Sequence, residues 1–267
     1  MNALINDIST SAILNILYII LGGLISFPLF RFLNGRCKKT ESFKGADILI
    51  MFAGSVVGVV IPLGTYGIIP IVAAFYFAEF KSYKILPFIV SNYIFNMTIP
   101  FTEANFTWKT VPMRIIVACL AGAFAGIIAK MFSKKSEGKI FHERLFKLSV
   151  KGDGFKGLLS YLKACIETTV IFVLVGVVLN SIFHRFIMYD TLKVVYSSAL
   201  GSITLKYMNG FNVMNPFFMM ALTIVTILMD ITKLSALSFM LRIKGIAAYL
   251  LYFLALATIL ASSIYFL

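Results

Sequence analysis

Asp230 and Lys233 stand three residues apart in an otherwise apolar run, a spacing that sets an acid and a base on one face of a helix. Charges in apolar surroundings cost a few kcal/mol to bury, so they face a partner or a cavity. The pair could exchange a proton or hold a charged solute, or it could be a structural ion pair near a helix end. Asn92 and Asn96 offer amides, and Thr65, Ser202 and Thr204 offer hydroxyls, each able to line a cavity or to bond helix to helix. Thr65 lies in Val60-Ile61-Pro62-Leu63-Gly64-Thr65-Tyr66-Gly67-Ile68-Ile69-Pro70, where two prolines and two glycines interrupt an apolar stretch. Proline removes a backbone donor and glycine weakens helicity, so this stretch is expected to unwind. Unwound backbone inside a bilayer is tolerated only against protein or a water-filled cavity. Gly64, Thr65, Tyr66 and Gly67 are therefore candidate binding residues, with a simple kink or a turn between helices as the alternative.

Covalent and metal chemistry have little to stand on. Cys37, Cys119 and Cys165 are scattered without ligand spacing, and only His142 and His184 are present, with no HExxH pattern. No serine elbow or phosphate-binding loop occurs. Neither an enzyme, a metal site nor a cofactor is expected.

The elements that must position these groups are membrane helices. Of the 267 residues 60% are hydrophobic and 13% charged, with a mean hydropathy of +0.94, whereas soluble domains carry about a quarter charged residues. The net charge of +13 lies mostly in a few loops, as in cytoplasmic loops facing anionic lipid, and does not point to nucleic acid. The first span, Ser11 to Leu33, is followed by Arg36, Lys38, Lys39 and Lys44, which places that loop inside and the N-terminus outside. The interrupted stretch runs from Ile48 to Ala78, followed by spans from Ile85 to Phe101 and Met113 to Met131. Between Ser133 and Lys163 lie Lys134, Lys135, Lys139, Arg144, Lys147, Lys151, Lys156 and Lys163 against three acids, a second cytoplasmic segment. Two inside loops need an even number of crossings between them. A re-entrant hairpin over 48–78 satisfies this and suits halves shorter than the roughly twenty residues of a span. Two short full crossings satisfy it too.

Spans from Ala164 to Phe186, Pro216 to Leu234 and Ile246 to Leu267 follow, with a weaker apolar stretch, Val194 to Val213, after the first of them. At a fixed offset Gly67 falls on Gly201, Pro70 on Thr204, Asn96 on Asp230 and Thr98 on Thr232. The halves begin on opposite sides, so the repeats are expected to be inverted, as in many secondary transporters. Chance alignment of apolar segments is the alternative. The expected class is thus an all-α, polytopic membrane protein with two inverted repeats containing broken or re-entrant helices. Residues 1–132 form one repeat, 133–163 a basic linker and 164–267 the other.

Pro62-Leu63-Gly64-Thr65-Tyr66-Gly67-Ile68-Ile69-Pro70 resembles the P-x-C-S-C-G-x-x-P motif of the predicted-permease family that includes the organoarsenical efflux permeases. Ser91-Asn92-Tyr93-Ile94-Phe95-Asn96 is similar to that family's A-P-x-x-N-P element, and Asp230-Ile231-Thr232-Lys233-Leu234-Ser235 to its C-terminal small-polar stretch. The resemblance implies a permease architecture. Gly64 and Tyr66 replace the family's cysteines, which weakens the case for an arsenical, since trivalent arsenic favours soft thiolates.

These readings together predict a permease of the cell inner membrane, exporting a small solute through a midplane cavity by alternating access. The expected site comprises Gly64, Thr65, Tyr66, Gly67, Asn92, Asn96, Ser202, Thr204, Asp230 and Lys233. Membrane lipids and an unknown small solute are the expected partners, and a homo-oligomer is compatible with the sequence. The alternative is a non-transporting membrane subunit that holds a partner or anionic lipid through its basic linker.

Overall fold

The computed structural model describes residues 2–36, 47–61, 63–95, 110–133, 140–148, 150, 154–186 and 230–262. Within them the chain is all-helical: α1 (Asn2–Arg36), α2 (Asp47–Val60), α3 (Gly64–Phe77), α4 (Ser82–Phe95), α5 (Thr110–Ser133), a 3-10 turn (Glu143–Leu148), α6 (Gly154–Phe186), α7 (Ile231–Met240) and α8 (Ile243–Ser262). Residues 4–33 of α1 and 154–182 of α6 are long and apolar enough to cross a membrane. α6 takes in ten residues of the segment expected to be linker.

Contacts between named residues fix the helix directions. Asp47 at the start of α2 pairs with Lys84 at the start of α4, and Gly58 near the end of α2 lies against Ser91 near the end of α4. These two helices run the same way. α3 runs against α4, since Thr65 meets Tyr93 and Phe75 meets Phe88 and Phe80. The chain therefore reverses at Ile61–Leu63, and α2 and α3 are antiparallel. α5 also opposes α4, with Gly122 against Ser91 and Gly126 against Tyr83. α1 follows α3, through Tyr18 beside Gly64 and Phe30 beside Phe77. α6 opposes α3, through Pro70 with Tyr161 and Tyr66 with Phe172. α7 opposes α6, through Ser235 beside Gly176 and Phe239 beside Phe172. α8 returns from the end of α7, its Tyr249 reaching Tyr93 and its Tyr252 reaching the Ala121 carbonyl.

One consequence is polarity of charge. The turns and helix ends bearing Lys81, Lys84, Lys130, Arg144, Arg242 and Lys244 all gather at one end of the bundle, the basic end. There the Asp47 carboxylate takes Lys84 at 2.9 Å, Lys130 at 2.8 Å and the Tyr83 hydroxyl at 3.2 Å, tying α2, α4 and α5 together.

Layering follows from burial. α3 is buried without a break from Tyr66 to Ala74, and α4 from Pro87 to Ile94, as befits helices enclosed on all sides. The surrounding helices turn apolar side chains outward: Leu14, Leu17 and Leu21 on α1, Ile48, Leu49 and Phe52 on α2, Ile171 and Leu174 on α6, Leu251 on α8. α1 crosses α3 at glycine, where a Cβ on Gly67 would lie 2.6 Å from the Tyr18 carbonyl oxygen. Ala118, Gly122 and Gly126 form the matching small-residue face of α5, against Pro87 and Tyr83 of α4.

The basic segment between the halves is not a free loop. Phe141, Leu145 and Leu148 are buried, Phe141 meeting the Tyr76 ring. Phe141 and Leu241 form an isolated antiparallel bridge, flanked by His142 N–H to the Met240 carbonyl (2.7 Å) and Arg242 N–H to the Ile140 carbonyl (2.9 Å).

Candidate functional site

The interruption is shorter than the Val60–Pro70 stretch expected to unwind. α2 holds to Val60, and α3 resumes at Gly64, whose φ of 60° is the left-handed conformation glycine adopts without strain. Gly67 and Pro70 lie inside α3, because the glycine is consumed by the crossing with α1 and the proline sits in a helix held from every side. The freed carbonyls find protein partners: the Asn92 side-chain amide donates to Gly58 (2.9 Å) and Ile61 (2.8 Å). Its own oxygen, Oδ1, is buried and has no hydrogen-bond partner among the described residues.

Beside this break five helices converge on a polar centre. Tyr66 of α3 and Ser235 of α7 both donate to the Phe172 carbonyl of α6, at 3.0 and 2.7 Å. That carbonyl thereby takes two hydroxyls from different elements. Tyr93 of α4 donates to the Thr65 carbonyl at 3.1 Å, and its ring stands edge-on to Tyr249 of α8, centroids 6.4 Å apart. Tyr249 stacks on Phe253, yet its buried hydroxyl has no hydrogen-bond partner among the described residues. Asp230 lies within electrostatic range of Tyr66, Tyr93 and Tyr249.

Asp230, expected within an apolar span or near its end, is the N-cap of α7. Its carboxylate accepts the N–H groups of Thr232 (2.9 Å) and Lys233 (3.3 Å) and the Thr232 hydroxyl, satisfying donors that a helix start leaves unpaired. The second oxygen faces Lys233 Nζ at 3.6 Å, with the Lys233 side chain 6% and the Asp230 side chain 25% exposed. The acid is thus at once a cap and half of a largely buried ion pair.

Of the expected site residues, Gly64, Thr65, Tyr66, Asn92, Asp230 and Lys233 lie at or beside this centre, and Gly67 serves the crossing with α1. Asn96, Ser202 and Thr204 fall outside the described residues. Tyr93, Phe172, Ser235 and Tyr249 were not singled out from sequence. Ser235, in the same short polar stretch as Asp230, had a local signal; a backbone carbonyl at Phe172 and a tyrosine on the last helix had none. Among the described residues no three His, Cys, Asp or Glu side chains come together as a metal site, and Cys119 and Cys165 are buried. The assembled groups are hydroxyls, an amide and one ion pair, a set suited to holding a polar solute.

No family model, curated protein or solved structure matches this chain.

Proposed function

We propose that the chain is a multi-pass membrane permease whose polar centre binds a small solute between two inverted repeats. The observation that carries it is the meeting of an interrupted, antiparallel helix pair with a largely buried ion pair and a buried tyrosine hydroxyl that has no hydrogen-bond partner among the described residues. Inside a bilayer such groups persist where something is bound. Apolar side chains face outward, and the basic turns gather at one end, which this reading places in the cytoplasm with the N-terminus outside. α2 and α3, with 14 residues each, reach about 21 Å, short of a hydrocarbon core of about 30 Å. They form a re-entrant hairpin rather than two crossings. The opposite directions of α5 and α8, equivalent in the internal alignment, support inversion of the halves. Alternating exposure of the centre would carry the solute across, outward if the protein is an exporter.

A second reading, a non-transporting membrane subunit, is favoured by one observation: Tyr66, Tyr93, Ser235 and the Asn92 amide are all spent on backbone carbonyls. In that reading the centre is packing. Side-specific aqueous labelling of Thr65→Cys and Ser202→Cys, in a chain lacking the native cysteines, separates the two. Labelling at both positions that a candidate solute blocks supports a permease; positions sealed from both sides in folded protein support the subunit.

A further inference from the structure

Phe172 carries contacts on two fronts. Its carbonyl receives Tyr66 and Ser235 from the polar centre, while its ring lies under the Arg144 guanidinium at 4.8 Å. Arg144 belongs to the 140–148 segment between the halves, and it also donates to the Ser238 carbonyl of α7 at 3.3 Å. Ser238 in turn donates to the Ser235 carbonyl at 2.7 Å. The same segment is fastened to the α7–α8 turn by the Phe141–Leu241 bridge and by an Arg242–Glu143 ion pair at 2.8 Å. The exposed ion pair adds little, but the cation over a ring and the charge-assisted hydrogen bond are worth more as water is excluded.

We infer that Arg144 is a positioning residue of the polar centre, acting through Phe172, and that residues 140–148 are a latch whose release opens the centre toward the basic end. The inference rests on the permease reading. At the basic end the segment ties Tyr76 of α3 to the α7–α8 turn, and losing Arg144 frees the ring of the residue whose carbonyl receives Tyr66 and Ser235. Because the flanking hydrogen bonds make Phe141 and Leu241 a non-hydrogen-bonded pair, their Cα atoms are expected at about 4.5 Å, within the range a disulfide spans.

The test introduces Phe141→Cys and Leu241→Cys with Thr65→Cys in full-length protein lacking the native cysteines, labels from each side of oriented vesicles with the latch oxidised or reduced, and reads modification of the residue-65 peptide alone by mass spectrometry, so that the latch thiols do not enter the count. Comparing two redox states of one protein removes differences in folding. The expected result is a severalfold loss of basic-end labelling on oxidation, restored by reduction, with labelling from the opposite end unchanged. Arg144→Ala, without the cross-link, should raise basic-end labelling severalfold, and Arg144→Lys should restore part of the closure by keeping a cation over the ring. Labelling indifferent to the cross-link and to Arg144→Ala overturns the latch and leaves the permease intact. Thr65→Cys sealed from both sides in every state overturns the permease reading and the latch with it.

Discussion

Gly22 of α1 and Gly67 of α3 meet backbone to backbone, so that a side chain on either would collide with the other helix. The neighbours are main-chain atoms, which cannot swing aside. Gly67→Val should therefore force α1 and α3 apart at a cost of about 3 kcal/mol or more, as overpacking does in rigid cores. A thermal unfolding scan of the detergent-solubilised protein should show a large fall in midpoint or no folded fraction. An unchanged midpoint would mean that the crossing is looser than the geometry requires.

The double duty of Asp230 can be divided by substitution. Asn caps a helix about as well as Asp, whereas Ala forfeits roughly 1 kcal/mol of capping. Asp230→Asn keeps the cap but removes the charge opposite the buried Lys233, and should lower stability through the ion pair alone; Asp230→Ala forfeits the cap as well and should lower it further. Solute protection of Thr65→Cys should weaken in Asp230→Asn, which keeps the cap and loses the charge. Undiminished protection would leave Asp230 a structural group outside the binding set.

Tyr249→Phe deletes a buried hydroxyl that has no hydrogen-bond partner among the described residues. Stability should hold or rise by about 1 kcal/mol, because a desolvated unpaired group is removed. Tyr93→Phe should do the reverse, since it strips the Thr65 carbonyl of its donor. Solute protection of Thr65→Cys should weaken in Tyr249→Phe despite the firmer fold. Undiminished protection would remove Tyr249 from the binding set.

His142 predicts a pH response of the latch. Burial, with the charges of Arg144 and Arg242, pushes its imidazole below the usual value near 6.5. Its Nδ1 also accepts the Arg144 N–H at 3.1 Å, a bond that protonation at Nδ1 breaks. The unfolded chain therefore takes up the proton first, so this contribution to stability is complete above about pH 6.5 and declines as pH falls below it. Unfolding midpoints followed from pH 7.5 to pH 5 should drop more steeply in the native protein than in His142→Asn. Parallel curves would show that His142 does not sense pH here.

Much of the architecture is legible from local chemistry. Pro62 and Gly64 mark the interruption to within a few residues, because a missing donor and a positive φ act where they stand. Their reach was overestimated, since the helix around Gly67 and Pro70 is maintained by α1, α4 and α6, contacts that no local pattern encodes. Asp230 illustrates the same limit. Its apolar neighbours read as the body of a span, while the cap depends on where the helix begins. The candidate residues from α3, α4 and α7 do come together, but the groups that join them, the Phe172 carbonyl and the tyrosines 93 and 249, are related only through space. The latch was hidden for another reason: the lysines on either side of residues 140–148 make the whole stretch read as solvated, although Phe141, Leu145 and Leu148, buried in the structure, stand at helical spacing.

The hydrogen bond from Tyr66 to Phe172 spans 106 residues. At translation rates of about 5–20 residues per second, the interrupted hairpin emerges on the order of ten seconds before α6 can meet it. During that interval α3 lacks the wall that α6 supplies through Tyr161 and the Phe172 carbonyl. A chain ended before α6 would leave the Tyr66 hydroxyl without the Phe172 carbonyl as its acceptor.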